Sequence, residues 1–419
     1  MERLLSSCCP VEGSLLVNRR FFLTLSGLAP AGAKLWAQST TYPKTRAFLK
    51  RFIDEGQVNG SIACVFRHGK LDLYAVEGWL DADHKNRMRE DAIFYLASLS
   101  KPVTGVAALI LMEQGKIKPE DPIDRWLPEL ANRKVLRKPD GPLDETIPSP
   151  RAITVSDLLS MHMGMGGDGP AGPFADALKA NAWTPDSDPD TWLKHLAEIP
   201  LQFAPGEKWL NDTSVDVLGL LIRRVTGGTL TAFEQEHIYG PLGMKDAGFY
   251  VPPAKLDRLA GYPEPNKPTQ TKPASFESGG DGMYATAPDY LRFARMLLNK
   301  GELDGKRILR TSSIEAITKD RFRPEEHRSG PFFDRYPGRG FGYTVAIRTE
   351  PLTPGPSLGA FNWAGSSGVW FVVDPARYMV VLLMAQHPTK GENPKTKVKY
   401  ISRIEENDLF QAAVYGDVG

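Results

Sequence analysis

The stretch FYLASLSKPVTG, residues 94–105, carries a serine, Ser98, three positions before a lysine, Lys101. At the start of a helix that spacing puts both side chains on one face, within reach of each other. A serine hydroxyl is a poor nucleophile until a neighbouring base takes its proton. A lysine takes that proton only when neutral, a form favoured by burial and by the positive end of a helix. Val103, Val106, Ala107, Ile110 and Leu111 carry the stretch onward with helical periodicity, and Gly115 stops it. A chain of 419 residues also produces such a pair by chance, as a solvated first helical turn. The segments around it decide between the two readings.

Upstream, residues 40–56 (TTYPKTRAFLKRFIDEG) read as an amphipathic helix ending at Gly56. Two strand-like runs follow, GSIACVFRHG and LDLYAVEGWL, joined as a hairpin at His68-Gly69-Lys70. From about 116 to 275 the chain is rich in Pro, Gly and Asp, with helical pieces at ITVSDLLSMH, TWLKHLAEIP and SVDVLGLLIRRVTGG. The last third returns to strands, GYTVAIRT, GVWFVVDP and ARYMVVLLMAQ, and ends in a helical segment, RIEENDLFQAAVYG. Strands at both ends around helices predict an α/β (α+β) fold: one mostly antiparallel sheet built from both termini, flanked by helices, with a helical subdomain inserted at about 116–275.

A hydrophobic fraction of 42% and a charged fraction of 24% are ordinary for a globular protein with a large core. The net charge of +1 gives no electrostatic case for nucleic acid or an anionic membrane as partner. Arg19-Arg20-Phe21-Phe22-Leu23 before the weakly apolar TLSGLAPAGA reads as a twin-arginine export signal over residues 1–37, cleaved near Ala37, with the functional domain at 38–419. The expected location is therefore periplasmic or secreted. Cys8 and Cys9 fall in the removable part, so Cys64 is left without a disulfide partner. The seven histidines show no metal-ligand spacing, and neither a metal nor an organic cofactor is expected. The G-x-G-x-x-G within His162–Gly169 follows a helical piece instead of a strand, which argues against a dinucleotide site.

Several segments match one family in order. ITVSDLLSMHMG (153–164) precedes FAPGEKW (203–209); SGGDGMYATAPDYLRFARMLLNKGEL (278–303) and NWAGSSGVWFVVDPARYMVVLL (362–383) follow. With the Ser-x-x-Lys pair, this chain resembles the serine β-lactamase-like superfamily, which holds class C β-lactamases, penicillin-binding D,D-peptidases and esterases. The resemblance implies that Ser98 is the acylated nucleophile and Lys101 its activating base. It implies that Trp363-Ala364-Gly365 is the substrate-holding strand, with the backbone N–H groups of Ser98 and Ser366 as oxyanion donors. Tryptophan at 363 replaces the cation that grips a substrate carboxylate. This turns the expectation from β-lactams and peptidoglycan towards neutral esters or amides, as in the esterase branch.

The family's second motif supplies a proton-shuttling tyrosine. Counting from Trp209, that position holds Asn211, whose amide is no general base. Three readings stay open: Lys101 carries all proton transfer, another phenol such as Tyr284 serves, or the site binds an acyl or peptide-like ligand without turnover. The sequence leaves the acyl group, the leaving group and the oligomeric state open.

Overall fold

The computed structural model describes residues 41–263, 269–388 and 390–419. The twin-arginine segment, Cys8 and Cys9 lie outside these residues. The described residues form one compact unit, and those of the stretch 116–275 belong to it. That stretch is not wholly helical: Lys134–Leu136 and Thr146–Pro148 pair as a small antiparallel ribbon.

The central sheet has seven strands: β1 (Gly60–Arg67), β2 (Lys70–Gly78), β3 (Arg339–Phe341), β4 (Ala346–Arg348), β5 (Phe361–Gly365), β6 (Val369–Asp374) and β7 (Met379–Ala385). Their order is β2-β1-β7-β6-β5-β4-β3, with every pair antiparallel. The first hairpin therefore lies beside the last strand, and both ends of the chain build one sheet. His68 and Gly69 both have positive φ, 50° and 83°, as a two-residue hairpin turn requires.

The near-continuous apolar runs of β1, β6 and β7 reflect burial on both faces. Ile62, Cys64, Phe66, Phe371, Val380 and Leu382 point into the larger core. Ala63, Val65, Trp370, Val381 and Leu383 point the other way, against α1 (Pro43–Asp54) and the C-terminal helix. Phe48 meets Phe410 of that helix at 5.6 Å between ring centroids.

In the larger core, α2 (Ser100–Glu113) runs as a helix buried from Ser100 to Leu111, against α3 (Thr213–Thr226) and α4 (Ala287–Leu298). A helix apolar on all sides belongs in an interior. The first turn of α2, which carries Lys101, is accordingly buried and not a solvated surface turn.

Candidate active site

The strand Ile93–Tyr95 pairs with Tyr284–Thr286, and a 3₁₀ turn, Ala97–Leu99, then carries Ser98 into α2. Ala97 has φ +48°, an uncommon conformation for a residue with a Cβ, immediately before the serine. Strain of this kind survives where surrounding bonds over-determine it. Leu96 donates to the Met283 carbonyl at 2.8 Å, and Ser100 Oγ donates to the Ala97 carbonyl at 2.7 Å while accepting from Met283 N at 3.0 Å. Tyr290 donates to the Leu99 carbonyl at 3.0 Å, and Ser367 Oγ to the Tyr95 carbonyl at 2.7 Å.

Lys101 has no exposed surface, and its Nζ donates three hydrogen bonds: to Ser98 Oγ at 2.7 Å, Asp212 Oδ1 at 2.7 Å and the Gly280 carbonyl at 2.8 Å. Three acceptors from three separate elements match the three donors of an ammonium. The Gly279-Gly280 turn presents its carbonyl because it packs too closely for side chains. A Cβ on Gly279 would lie 2.7 Å from the Val215 carbonyl oxygen, and one on Gly280 3.0 Å from Asp216 Oδ1. Asp216, on the first turn of α3, accepts from Gly280 N at 3.2 Å and from Ser278 Oγ, holding that turn in place.

The second-motif region departs from a linear count. Among the described residues the side-chain oxygen of Asn211 is buried without a hydrogen-bond partner, and its backbone carbonyl accepts from Gly167 N at 3.1 Å. Its neighbour Asp212 is the residue bonded to Lys101. Asp212 has φ +77° and ψ −81°, within the strained γ-turn region, and its side chain is 54% exposed. The glycine-rich loop after His162 borders this place: a Cβ on Gly166 would lie 2.5 Å from the Asn211 carbonyl oxygen. The loop is braced from behind by Glu326, which bonds His162 Nε2 at 3.1 Å and accepts from Trp209 N at 3.1 Å. Burial opposes ionisation of Glu326, but the bonds from His162 and Arg323 outweigh it and hold the carboxyl down to about 2.

Trp363-Ala364-Gly365 closes β5, and the β4 ladder stops at Asn362, so this end of the strand has no ladder partner on that side. Gly365 lies against the turn before Ser98: an added Cβ would stand 2.2 Å from the Leu96 carbonyl oxygen. Ser366 follows at the surface. The Trp363 ring is buried among Trp209, Tyr336 and Phe341, and its indole N–H has no hydrogen-bond partner among the described residues. Ser98, Lys101, Gly365 and Ser366 thus belong to segments that meet. Tyr284 instead tilts against Tyr95 at 5.2 Å, and its hydroxyl accepts from Gln270 N at 3.2 Å.

Lys101 lies within a group of carboxyls. Burial pushes Asp281 up to about 7, with Lys101 pulling it down and Asp212 and Asp216 adding to the rise. Burial likewise raises Asp216 to about 6. Two hollows adjoin these segments. The larger, about 830 Å³, is walled by Tyr95, Trp183, Phe249, Phe276, Gly282 and Tyr284. The smaller, about 410 Å³, is bordered by Gly166, Gly167, Trp183, Asp212 and Asp216. Ser98 and Lys101 line neither. Of the residues in the larger hollow, Tyr95 lies three positions before Ser98 and Gly282 two after Gly280.

Residues 45–404 match the Beta-lactamase family. This chain belongs to that family. Among its relatives, an uncharacterized protein of Mycobacterium tuberculosis is 35% identical over 362 residues, covering 82% of this chain and 89% of the relative. Esterase EstB of Burkholderia gladioli is 31% identical over 403 residues, covering 88% of this chain and 96% of its own length. Of solved structures, EstCE1, a hydrolase with promiscuous acyltransferase activity, superposes with a TM-score of 0.73 at 24% identity, covering 89% of this chain and 98% of its own. That last likeness concerns the fold.

Within the Beta-lactamase family this chain lies on the esterase side. Asp212 and the Gly280 carbonyl are the two Lys101 partners that sequence reading passed over. One sat in plain view beside Asn211, and the other is a backbone atom with no residue signature beyond its paired glycines.

Proposed function

We propose that this chain is a serine esterase working through an acyl-enzyme on Ser98. The observation that carries the reading is the 2.7 Å bond between Lys101 Nζ and Ser98 Oγ, with the lysine wholly buried. Lys101 takes the Ser98 proton as Oγ attacks an ester carbonyl. The N–H groups of Ser98 and Ser366 receive the developing oxyanion; donors of this kind contribute about 10²–10³ in rate each. The alcohol departs, and water releases the acyl group.

Neutral esters with a bulky apolar portion are the substrates the site favours. Tryptophan at 363 offers no cation for a carboxylate, and the 830 Å³ hollow includes six aromatic side chains, among them Trp183, Phe249 and Phe276, in its wall. The 31% identical relative EstB is named as an esterase. Purified protein and Ser98→Ala should be assayed on p-nitrophenyl esters of increasing acyl length, beside nitrocefin. Saturable ester hydrolysis lost in Ser98→Ala supports the reading. Nitrocefin turnover exceeding ester turnover contradicts it, as does saturable binding with no hydrolysis in either protein. The twin-arginine segment supports an exported enzyme; export should stop when Arg19 and Arg20 are both changed to Lys, followed by cell fractionation.

A further inference from the structure

We infer that Asp212 is the proton relay of this site. The inference rests on the serine-esterase reading above and adds a residue to it.

The hydrogens on Lys101 decide which group relays. Its Nζ gives hydrogen bonds to Ser98 Oγ, Asp212 Oδ1 and the Gly280 carbonyl. An ammonium there donates to all three, whereas the base needs its lone pair on the Ser98 hydroxyl and keeps two hydrogens, for Asp212 and the Gly280 carbonyl. To act as a base it must first hand one proton on. Ser98 is the group to be deprotonated, and a backbone carbonyl keeps no proton. Asp212 is the remaining partner, a carboxylate at 2.7 Å. It is also the partner that can exchange with solvent, because its side chain is 54% exposed while Lys101 is fully enclosed.

Other carboxyls nearby are less suited. Asp216 is committed to Ser278 Oγ and Gly280 N, and Asp281 is enclosed beside Tyr95; neither bonds Lys101. Asp168, which feels the Asp212 charge, is paired with Arg335 at 3.1 Å. The backbone supplies an independent sign. With φ +77° and ψ −81°, Asp212 is held in a conformation that side-chain-bearing residues avoid. Such strain clusters where a side chain must be aimed. Here Asp212 is bonded to Lys101, while the Asn211 backbone carbonyl accepts from Gly167 N.

The step balances as follows. One Lys101 proton passes to Asp212, and the Ser98 hydroxyl proton passes to Lys101 as the Oγ–acyl carbon bond forms. The bond from acyl carbon to the alcohol oxygen breaks, and protonated Asp212 gives its proton to the departing alkoxide. In deacylation, water attacks the acyl carbon, its proton enters the same pair, and Ser98 Oγ leaves with a proton from Lys101. No redox partner or metal enters.

Asp212→Asn keeps an oxygen acceptor for Lys101 and tolerates the backbone conformation, but it cannot take a proton. Asp212→Gly tolerates the same φ and opens space beside Lys101. Turnover of a p-nitrophenyl ester should be measured for wild type, Asp212→Asn, Asp212→Gly and Ser98→Ala, each with and without added formate. The expected result is a 10²–10⁴-fold fall in kcat for both Asp212 variants, the range for losing a positioned acid–base group. KM should change far less, and formate should restore Asp212→Gly by at least tenfold while leaving Ser98→Ala inert. Asp212→Asn with wild-type kcat would show that an acceptor alone suffices and overturns the relay. Equal losses with no formate effect on Asp212→Gly also overturn it. A wild type no more active than Ser98→Ala overturns the esterase reading and the relay together, which separates that failure from the other two.

Discussion

Lys101 is bonded to a serine, a carboxylate and a carbonyl from three elements, so its replacement disconnects the site at the residue scale. Lys101→Ala should lower ester kcat by about 10²–10⁴-fold. Lys101→Arg should fall as far, since a guanidinium keeps the charge and the donors but does not give up its proton. Equal activity of Lys101→Arg and wild type, in proteins shown to be folded by circular dichroism, would contradict a base role for Lys101. The contact between Ser98 and Lys101 was legible in the sequence because it is set by spacing along one turn. Asp212 was not, because a count along the chain ends at Asn211. Which of two adjacent side chains meets Lys101 depends on the backbone turn before α3, and that turn has no glycine or proline to announce it.

At the scale of elements, the end of β5 and the turn before Ser98 are held at backbone contact. Gly365→Ala places a Cβ 2.2 Å from the Leu96 carbonyl oxygen, an atom that cannot move without moving the nucleophile turn. Overpacking of this kind costs about 1–3 kcal/mol. Thermal melting should show that loss, and ester kcat should fall at least tenfold; unchanged values of both would contradict the contact. The 278–283 loop carries a pH signature. Burial raises Asp281 to about 7, so the folded chain retains a proton that the unfolded chain releases near pH 4. Stability from this group therefore falls as pH climbs from about 4 to about 7 and is level above that. Asp281→Asn should gain on wild type across this window, by on the order of 1 kcal/mol per pH unit. A melting-temperature difference that does not vary with pH contradicts a retained proton. Long two-faced strands such as β1 and β7 were readable from their apolar runs. The edge strand β3, Arg339–Phe341, was not, being three residues long in a glycine-rich stretch with no alternation to detect.

For the whole molecule, the strand that leads to Ser98 also puts Tyr95 in the wall of the larger hollow, and the proposed esterase would draw its substrate choice from that wall. Trp183 borders both hollows and stacks on Phe276 at 5.6 Å, within 6° of parallel. Trp183→Ala should alter the ratio of kcat/KM between a bulky and an acetyl ester by about five- to tenfold, the scale of a lost apolar contact. An unaltered ratio would place substrate elsewhere. The two-ended sheet was legible because apolar strands frame the chain, whereas the hollow was not, since its walls come from segments up to about 300 residues apart. The central claim, an activated Ser98, is tested most directly by intact mass after incubation with a fluorophosphonate, with Ser98→Ala alongside. The account predicts one adduct on wild type and none on the variant. No adduct on wild type, or the same adduct on both, would contradict it.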